Sequence, residues 1–269
     1  MVEASTSTSG SAQRQASLWG RRARDYAELT EPLMHGFFSE VLEQLDIRPG
    51  LTLLDVGCGS GIATALAAER GASVSGLDAT PELLDFARQR VPGADFQTDD
   101  MERLPYPDDS FDLVTGFNSF QYAANPVKAL AEARRVARPG GSVVIATWGR
   151  AENVDMAAVI RVFGSLMAPS PSGAPGPFAL SEDGALAALV RRAGLQPRHG
   201  GRVIDRWELS ADLNIALRTI LSAGPAAAAI EHSGEERVRE AIADVLAQFQ
   251  TDSGTYLLEN EFVYLIARA

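Results

Sequence analysis

The chain has 269 residues, 46% of them hydrophobic, so it can bury the core of one large α/β domain. The formal net charge of −11 disfavours a nucleic-acid substrate, although four arginines between residues 14 and 24 form a local basic stretch. The single cysteine, Cys58, excludes an intramolecular disulfide and a zinc site built on thiolates, and it favours a reducing compartment. No apolar run approaches the ~20 residues of a membrane span, and residues 1–11 lack the apolar region of a signal peptide. We therefore expect a soluble, cytoplasmic protein without a metal site.

The N-terminal region has two parts. Residues 1–17 begin with a Ser/Thr-rich stretch that is too polar to fold alone, so we predict a disordered tail. Residues 18–50 are predicted to form a helical cap. Trp19 and Tyr26 of this cap are seven residues apart and share one helical face, which core packing would explain.

Residues 51–148 alternate short apolar strands with helical segments, which indicates a parallel sheet with crossover helices. Two helix starts are marked by a capping residue followed by proline, at Thr80-Pro81 and Asn125-Pro126, because the missing N–H of proline costs nothing there. Five strands are predicted, over residues 51–56, 73–77, 94–97, 111–116 and 142–147.

The region after residue 148 is less regular. Residues 168–178 carry four prolines and two glycines and are predicted to form a loop. Ser181 is predicted to cap a helix that ends at Gly194, and residues 211–250 to form about two alanine-rich helices. Further strands are predicted over residues 203–209 and 255–267. The prediction for residues 18–269 is a single α/β domain: a Rossmann-like, doubly wound, seven-stranded sheet, the last strand antiparallel, with a helical lid inserted at about residues 210–250.

A glycine-rich turn, Leu-Leu-Asp-Val-Gly-Cys-Gly-Ser-Gly, occupies residues 53–61. Glycines allow a sharp turn and let backbone groups approach a ligand, although a turn without a ligand is an alternative. A dinucleotide fold would need its third glycine at position 62, where the chain has Ile62; the glycine stands one residue earlier, at Gly61. This spacing, with Asp55 two residues before Gly57, resembles the class I S-adenosylmethionine-dependent methyltransferases.

Two further acids stand where the resemblance implies contacts with the adenosine part of the cofactor. Asp78 ends the second predicted strand, where a carboxylate can accept from both ribose hydroxyls; a dehydrogenase uses the same device, and a helix-entry acid is another alternative. Residues 99–106, Asp-Asp-Met-Glu-Arg-Leu-Pro-Tyr, resemble the segment that follows the third strand in the family. The resemblance implies that Asp100 accepts from the adenine amino group and that the backbone of Met101 reaches the ring. A solvated loop and a metal site are the alternatives for these acids.

Residues 117–122, Phe-Asn-Ser-Phe-Gln-Tyr, follow the fourth predicted strand, at the edge of an open α/β sheet where ligands bind. The resemblance places Phe117 or Asn118 beside the methionine part of the cofactor, and puts Gln-Tyr where many relatives have paired histidines. Residues 132–141 resemble the junction between helix and fifth strand in the family. The implied ligands of S-adenosylmethionine are Asp55, Gly57, Cys58, Gly59, Gly61, Asp78, Ala79, Asp100, Met101, Phe117, Asn118 and Tyr26.

A sulfonium methyl group is already activated, so positioning can supply ~7–11 kcal/mol of the barrier without a base. An amine, phenolate or activated carbon then needs no dedicated base, whereas a hydroxyl profits from one. His35 is the first candidate base, because relatives fold an N-terminal helix over the cleft; an exposed helix position is the alternative. Tyr122 is the second, with core packing as its alternative. His199 and His232 are weaker candidates.

The predicted function is transfer of a methyl group to an O, N or C atom of a small organic molecule, by resemblance to quinone-biosynthesis and natural-product methyltransferases. Residues 51–148 are then the cofactor-binding core, residues 149–269 the C-terminal half with the lid, and Trp19 and Tyr26 cover the cofactor unless they pack in the core. The alternative is a protein of this fold that binds the cofactor but acts as a cyclase or ligand-binding regulator. No nucleic-acid or membrane partner is expected, a homodimer is considered, and the substrate and the acceptor atom stay open.

Overall fold

The computed structural model describes residues 11–169 and 177–269, and seven strands lie within them. The strands are β1 Thr52–Val56, β2 Ser73–Asp78, β3 Asp95–Thr98, β4 Phe111–Phe117, β5 Ala137–Trp148, β6 Gln196–Leu209 and β7 Tyr256–Arg268. They form one sheet in the order β3-β2-β1-β4-β5-β7-β6. β1 to β5 pair in parallel, and β7 runs antiparallel to both β5 and β6. The predicted Rossmann-like sheet with an antiparallel last strand is confirmed.

Helices cover both faces of the sheet, as the alternating pattern predicts. They are α1 Ala12–Trp19, α2 Ala23–Asp25, α3 His35–Glu43, α4 Ile62–Glu69, α5 Pro81–Arg90, α6 Pro126–Val136, α7 Met156–Leu166, α8 Ala185–Arg192, α9 Leu213–Leu221, α10 Gly224–Ser233 and α11 Glu235–Leu246. Both predicted proline starts are found, at α5 and α6. Asn125 caps α6 through its side chain, which accepts from the N–H of Lys128 at 3.1 Å.

The central strands are buried on both faces because helices cover each side. On one face, Leu53 and Val144 pack against α3, α4 and α7. On the other face, Leu54 and Val143 pack against α6 and α8. Neighbouring residues of one strand thus belong to different clusters, as the twofold period of a strand requires.

The N-terminal segment is helical and packs on the C-terminal half of the chain. Leu18 of α1 is buried against Ala227 and Ala228 of α10. Thr30 Oγ1 donates to the carbonyl oxygen of Thr219 in α9 at 2.6 Å. The predicted disordered tail is therefore wrong for residues 12–17, whose helix is stabilised by partners about two hundred residues away; residues 1–10 lie outside the described part of the chain.

The C-terminal half departs from the prediction in its boundaries. Residues 211–250 form three helices and not two, because Pro225 begins α10 and Gly234, at φ +84°, separates α10 from α11. Ser181 does not cap α8; its hydroxyl donates to the carbonyl of Phe178, and α8 begins after Gly184. β6 starts at Gln196, seven residues before the prediction, since it pairs with β7 along its whole length. Of the predicted loop at 168–178, residues 170–176 are not described.

Among residues 11–169 and 177–269, no single helix is long and apolar enough to cross a bilayer. α9 and α10 reach that length and composition only together, and a bend of 98° separates them.

Candidate active site

A cavity opens at the carboxyl ends of β1, β2 and β4, where open α/β sheets bind ligands. The fold brings together there residues from β1 through β4, the N-terminal segment and α9. Every residue predicted to bind the cofactor lines this cavity except Gly61: Tyr26, Asp55, Gly57, Cys58, Gly59, Asp78, Ala79, Asp100, Met101, Phe117 and Asn118.

The glycine turn forms the floor of the cavity. Gly57 and Gly59 adopt φ values of +72° and +55°, which side chains with a Cβ rarely adopt. The N–H of Gly57 donates to the carbonyl of Leu77 at 2.7 Å, which ties the turn to β2. A Cβ at Gly57 would lie only 2.4 Å from the Cβ of Ser119, so the turn approaches the segment after β4 as closely as backbone allows.

Gly61 is the one predicted cofactor ligand that does not line the cavity in the described part of the chain, and its contacts are with a neighbouring helix. It is the N-cap of α4, with φ +85°. A Cβ there would lie 2.9 Å from the Cβ of Ala87, so this glycine lets α4 and α5 approach each other. The absence of a side chain at Gly61 is therefore required by the close contact between α4 and α5.

Asp78 stands at the end of β2, half-buried at the cavity wall. Its Oδ2 accepts from the N–H of Gly59 at 2.9 Å, and its Oδ1 accepts from the N–H of Thr80 at 2.8 Å. Burial raises the pKa of this carboxyl, while the backbone donors oppose the shift. Since a carboxylate has about four acceptor positions and two are used, each oxygen can still accept from a ligand hydroxyl.

Asp55 holds the framework beneath the turn. It is 2% exposed, and its two oxygens accept from Thr64 Oγ1 of α4 and Thr115 Oγ1 of β4, both at 2.9 Å. Burial raises the pKa of Asp55 to about 6, with the two hydroxyl donors acting in the opposite direction. The predicted acid thus joins three elements around the cavity.

Asp100 and Met101 lie in the turn that follows β3, beside the cavity. Asp100 Oδ1 accepts from the N–H of Glu102 at 2.9 Å, which fixes the turn. Glu102 is buried and its Oε1 accepts from the N–H of Asn125 at 3.0 Å, so this acid anchors the turn to the start of α6. Asp100 and Glu102 therefore each have a backbone partner, which argues against the alternative of a solvated loop.

Phe117 and Asn118 form the wall at the end of β4. Phe117 is buried and packs edge-to-face with Phe38 of α3, with ring centroids 5.1 Å apart. Asn118 has φ +48°, a conformation that non-glycine residues adopt at few positions and that clusters at functional sites. Ser119 lines the same wall, and its Oγ is buried without a hydrogen-bond partner among the described residues.

Three aromatic rings cover the cofactor side of the cavity. Trp19 packs edge-on against both Tyr26 and Tyr122, with centroid distances of 5.2 and 5.6 Å. All three line the cavity. Burial raises the pKa of Tyr122 to about 12, and burial followed by the charge of Glu31 raises that of Tyr26. Both phenols are therefore protonated at neutral pH, and Tyr122 does not fit the predicted role of a base.

The histidines lie outside the cavity. His35 is exposed at the start of α3, and His199 and His232 are exposed on β6 and α10. None of the three lines the cavity in the described part of the chain. Because a base must come within hydrogen-bond reach of the proton that it removes, this placement contradicts His35 as the predicted base.

Sequence reasoning missed Glu31, a buried acid of the N-terminal segment at the cavity wall. Its Oε2 accepts from the N–H of Ser60 at 3.1 Å and from the hydroxyl of the same residue. Burial raises the pKa of Glu31 to about 8, although Arg90 acts to lower it. No local pattern announces this residue, since its partner lies 29 positions along the chain.

The half of the cavity away from the strand ends is apolar. Trp148 and Trp207 lie there with ring centroids 5.7 Å apart, and α7 and α9 close the sides. No charged side chain of the described residues lines this half, which consists of Leu33, Met34, Phe38, Trp148, Met156, Ile160, Phe163, Trp207, Thr219, Ile220, Ala223 and Pro225. The sequence predicted a helical lid at about residues 210–250, but not the side chains that build this apolar half.

Known proteins support the assignment that this geometry suggests. Residues 54–145 match the family model described as a methyltransferase domain. A malonyl-[acyl-carrier protein] O-methyltransferase from Serratia marcescens is 36% identical over 50% of this chain and 52% of its own length, so the match spans about half of that relative.

Two solved structures are similar in fold. A Bacillus halodurans protein described as a candidate methyltransferase gives a TM-score of 0.59 at 16% identity, over 86% of this chain and 97% of that one. The [4+2]-cyclase SpnF gives 0.54 at 20% identity, over 87% and 80%. At these identities both show the fold alone, and that fold serves more than one chemistry.

The sheet order, the glycine turn and the strand-end acids together define a Rossmann-like nucleotide site of the methyltransferase type. The matched domain and the similar proteins indicate a class I S-adenosylmethionine-dependent methyltransferase, a family whose cofactor is S-adenosylmethionine. The residues present fit that group: Asp78 has free acceptor positions for hydroxyls, and the unpartnered Ser119 Oγ offers a further hydrogen bond.

Proposed function

We propose that this protein transfers the methyl group of S-adenosylmethionine to an uncharged, largely apolar small molecule. The observation that carries the proposal is the continuity of one cavity, polar at the strand ends and apolar between Trp148, Phe163 and Trp207. Charged groups are poorly placed in such surroundings because they would lose hydration without gaining a partner.

The residues of the polar half would hold the cofactor: Asp78 at the ribose hydroxyls, Asp100 and Met101 at the adenine, and Asn118 at the methionine part. S-adenosylmethionine, when bound, supplies an electrophilic methyl group on a sulfonium. The protein's own contribution is positioning and exclusion of water, since α9 and the aromatic rings of the N-terminal segment enclose the cavity.

The nature of the acceptor follows from the absence of a base in the apolar half of the cavity. No histidine lines the cavity among the described residues, Tyr122 is a protonated phenol at neutral pH, and the acids Glu31, Asp55 and Asp78 lie at the polar end with the glycine turn. The acceptor must therefore supply its own nucleophile, as a phenol, an amine or an acidic carbon does. We propose a phenol or an acidic carbon, because the distal half of the cavity has no acidic side chain among the described residues to pair with a charged amine.

Macromolecular partners form no part of the proposed function. The four arginines of the basic stretch at residues 14–24 are paired: Arg14 and Arg21 with Glu231, Arg22 with Glu235 at 2.6 Å, and Arg24 with Glu28 at 3.5 Å. This pairing and the net charge of −11 support a reaction without nucleic acid. A cytoplasmic location also belongs to the proposal, and cell fractionation tests it; a homodimer stays a prediction.

The experiment is methyl transfer from cofactor labelled in its methyl group to a metabolite extract, with Asp78→Asn as the cofactor-site control. We expect label in organic-soluble small molecules and equal amounts of S-adenosylhomocysteine. Label confined to precipitated macromolecules would refute the small-molecule proposal. Cofactor binding without S-adenosylhomocysteine, together with consumption of a metabolite, would instead favour the cyclase alternative.

A further inference from the structure

Glu31 has one oxygen that is fixed and one that faces the cavity. It is 3% exposed, and its Oε2 accepts from both the N–H and the hydroxyl of Ser60. Its Oε1 would lie 3.1 Å from a Cβ on Gly59. Gly59 and Glu31 both line the cavity, so this oxygen lies at the cavity floor.

The charged surroundings of Glu31 are predominantly negative. Asp55 of β1 and Asp78 of β2 line the same cavity. Tyr26 and Cys58 are the neutral titratable neighbours, and burial raises the pKa of both. The one neighbouring cation is Arg90 of α5 among the described residues, with its Nη1 3.6 Å from Glu31 Oε2.

Arg90 is also committed to other partners. Its Nη1 donates to the carbonyl and hydroxyl oxygens of Ser60 at 2.5 and 2.7 Å, and its Nη2 donates to the carbonyl of Ala27 at 3.4 Å. Arg90 therefore contacts Glu31 on the side of Oε2, and its positive charge lies farther from Oε1. Three carboxylates in a cavity with a single guanidinium behind them favour a ligand with positive charge.

The cofactor and its product differ in one charge. S-adenosylmethionine has a sulfonium where S-adenosylhomocysteine has a neutral thioether, and both have the same ammonium and carboxylate groups. We propose that Glu31 is a specificity-determining residue that makes the site prefer the charged cofactor over the neutral product. The inference rests on the proposed function, because it takes S-adenosylmethionine as the ligand.

The proposal has a definite pH signature. Burial raises the pKa of Glu31 to about 8, so near pH 6 the carboxyl is protonated in the free protein and near pH 9 it is charged. A bound sulfonium stabilises the charged form, so binding the cofactor releases a proton below pH 8 and the preference grows as pH rises. The pKa of Asp55 is raised only to about 6, so above pH 7 the change in preference reports Glu31. The sulfonium lowers the pKa of the ammonium group in the cofactor relative to the product. Each dissociation constant is therefore expressed for the ligand with a protonated ammonium group, by use of the ammonium pKa of each free ligand from an NMR titration.

The test is calorimetric titration of S-adenosylmethionine and S-adenosylhomocysteine into the wild type, Glu31→Gln and Glu28→Gln. Glu28 is the matched control, because it is an exposed acid of the same segment and pairs with Arg24. We expect the ratio of the product Kd to the cofactor Kd to rise in the wild type between about pH 7 and about pH 9. Over this range the rise approaches about tenfold when the sulfonium lowers the pKa of Glu31 by more than one unit, because only one pH unit separates pH 7 from the free pKa of about 8. The ratio should stay flat in Glu31→Gln and rise as usual in Glu28→Gln.

A wild-type ratio that does not change with pH overturns the inference, and this result needs no variant to fold. The same rise in Glu31→Gln would also overturn it, since a merely structural Glu31 would move both dissociation constants together. Failure of the proposed function looks different: neither ligand would bind the wild type at any pH.

Discussion

Substitution of Gly61 by alanine separates the two roles that glycines have in the turn after β1. Gly61 has φ +85° and touches Ala87 of α5, but it does not line the cavity. Gly59 has φ +55° and does line it. Gly61→Ala should therefore destabilise the fold without changing cofactor affinity in the folded protein, whereas Gly59→Ala should weaken binding.

The expected loss in Gly61→Ala has two parts. A non-glycine residue in the left-handed region costs about 1–2 kcal/mol. The added Cβ would lie 2.9 Å from the Cβ and 3.1 Å from the Cα of Ala87, both in a packed helix. Overpacking of this kind costs about 1–3 kcal/mol. We expect the free energy of unfolding to fall by about 2–5 kcal/mol, with Tm falling by about 2–4 °C for each kcal/mol.

Gly184→Ala is the matched control. Gly184 is also the N-cap of a helix, with φ +80°, and a Cβ there would meet no atom within 4 Å. It should lose only the backbone part, about 1–2 kcal/mol. Urea unfolding of both variants gives the packing part as their difference, and calorimetry with S-adenosylmethionine gives the affinities.

Equal losses of stability in Gly61→Ala and Gly184→Ala would refute the packing role. A cofactor Kd weakened in Gly61→Ala as much as in Gly59→Ala would refute the distinction between the two glycines. Gly61→Ala combined with Ala87→Gly provides a further check, since removal of the opposing Cβ should restore part of the packing loss.

Three further predictions concern single side chains. Asp78→Asn should weaken cofactor binding by about 1.5–3 kcal/mol in calorimetry, because charge-assisted hydrogen bonds are lost; an unchanged Kd would contradict this. His35→Ala and Tyr122→Phe should leave the shape of the pH–rate profile at neutral pH unchanged, since His35 is exposed and the pKa of Tyr122 is about 12. Loss of one limb of the profile in either variant would instead show that the replaced residue acts as a base. The backbone N–H of Thr52 leads in lowering the pKa of Asp112 to about 2, so its stabilisation is present above pH ~4 and lost as pH falls toward 2. Asp112→Asn should flatten that acid loss in urea titrations.

The cofactor half of the site could be predicted from short-range patterns. The glycines, Asp55, Asp78 and Asp100 each stand within a few residues of the end of a strand. Parallel strands bring their carboxyl ends to one edge of the sheet, so these positions converge once the strand order is known. The role of Gly61 could not be read in the same way, because its contact with Ala87 depends on how closely two helices approach.

The rest of the cavity depends on contacts between distant parts of the chain. Glu31 meets Ser60 29 residues away, and Trp148 meets Trp207 59 residues away, with no spacing that marks either pair. Likewise, the helix at residues 12–19 has a composition that suggests a tail, and it is stabilised by packing on α10. Burial against such partners decides both the order of a weak segment and the pKa of a buried acid.

The sequence alone thus determined the sheet, the glycine turn and the strand-end acids. These follow from local periodicity and from glycines at positions where the backbone has a positive φ. Tertiary structure alone decided which side chains line the apolar half of the cavity, that His35 lies outside the cavity, and that Glu31 lies inside it. The reason is physical: a residue's local pattern sets its backbone, whereas its environment is set by elements far along the chain.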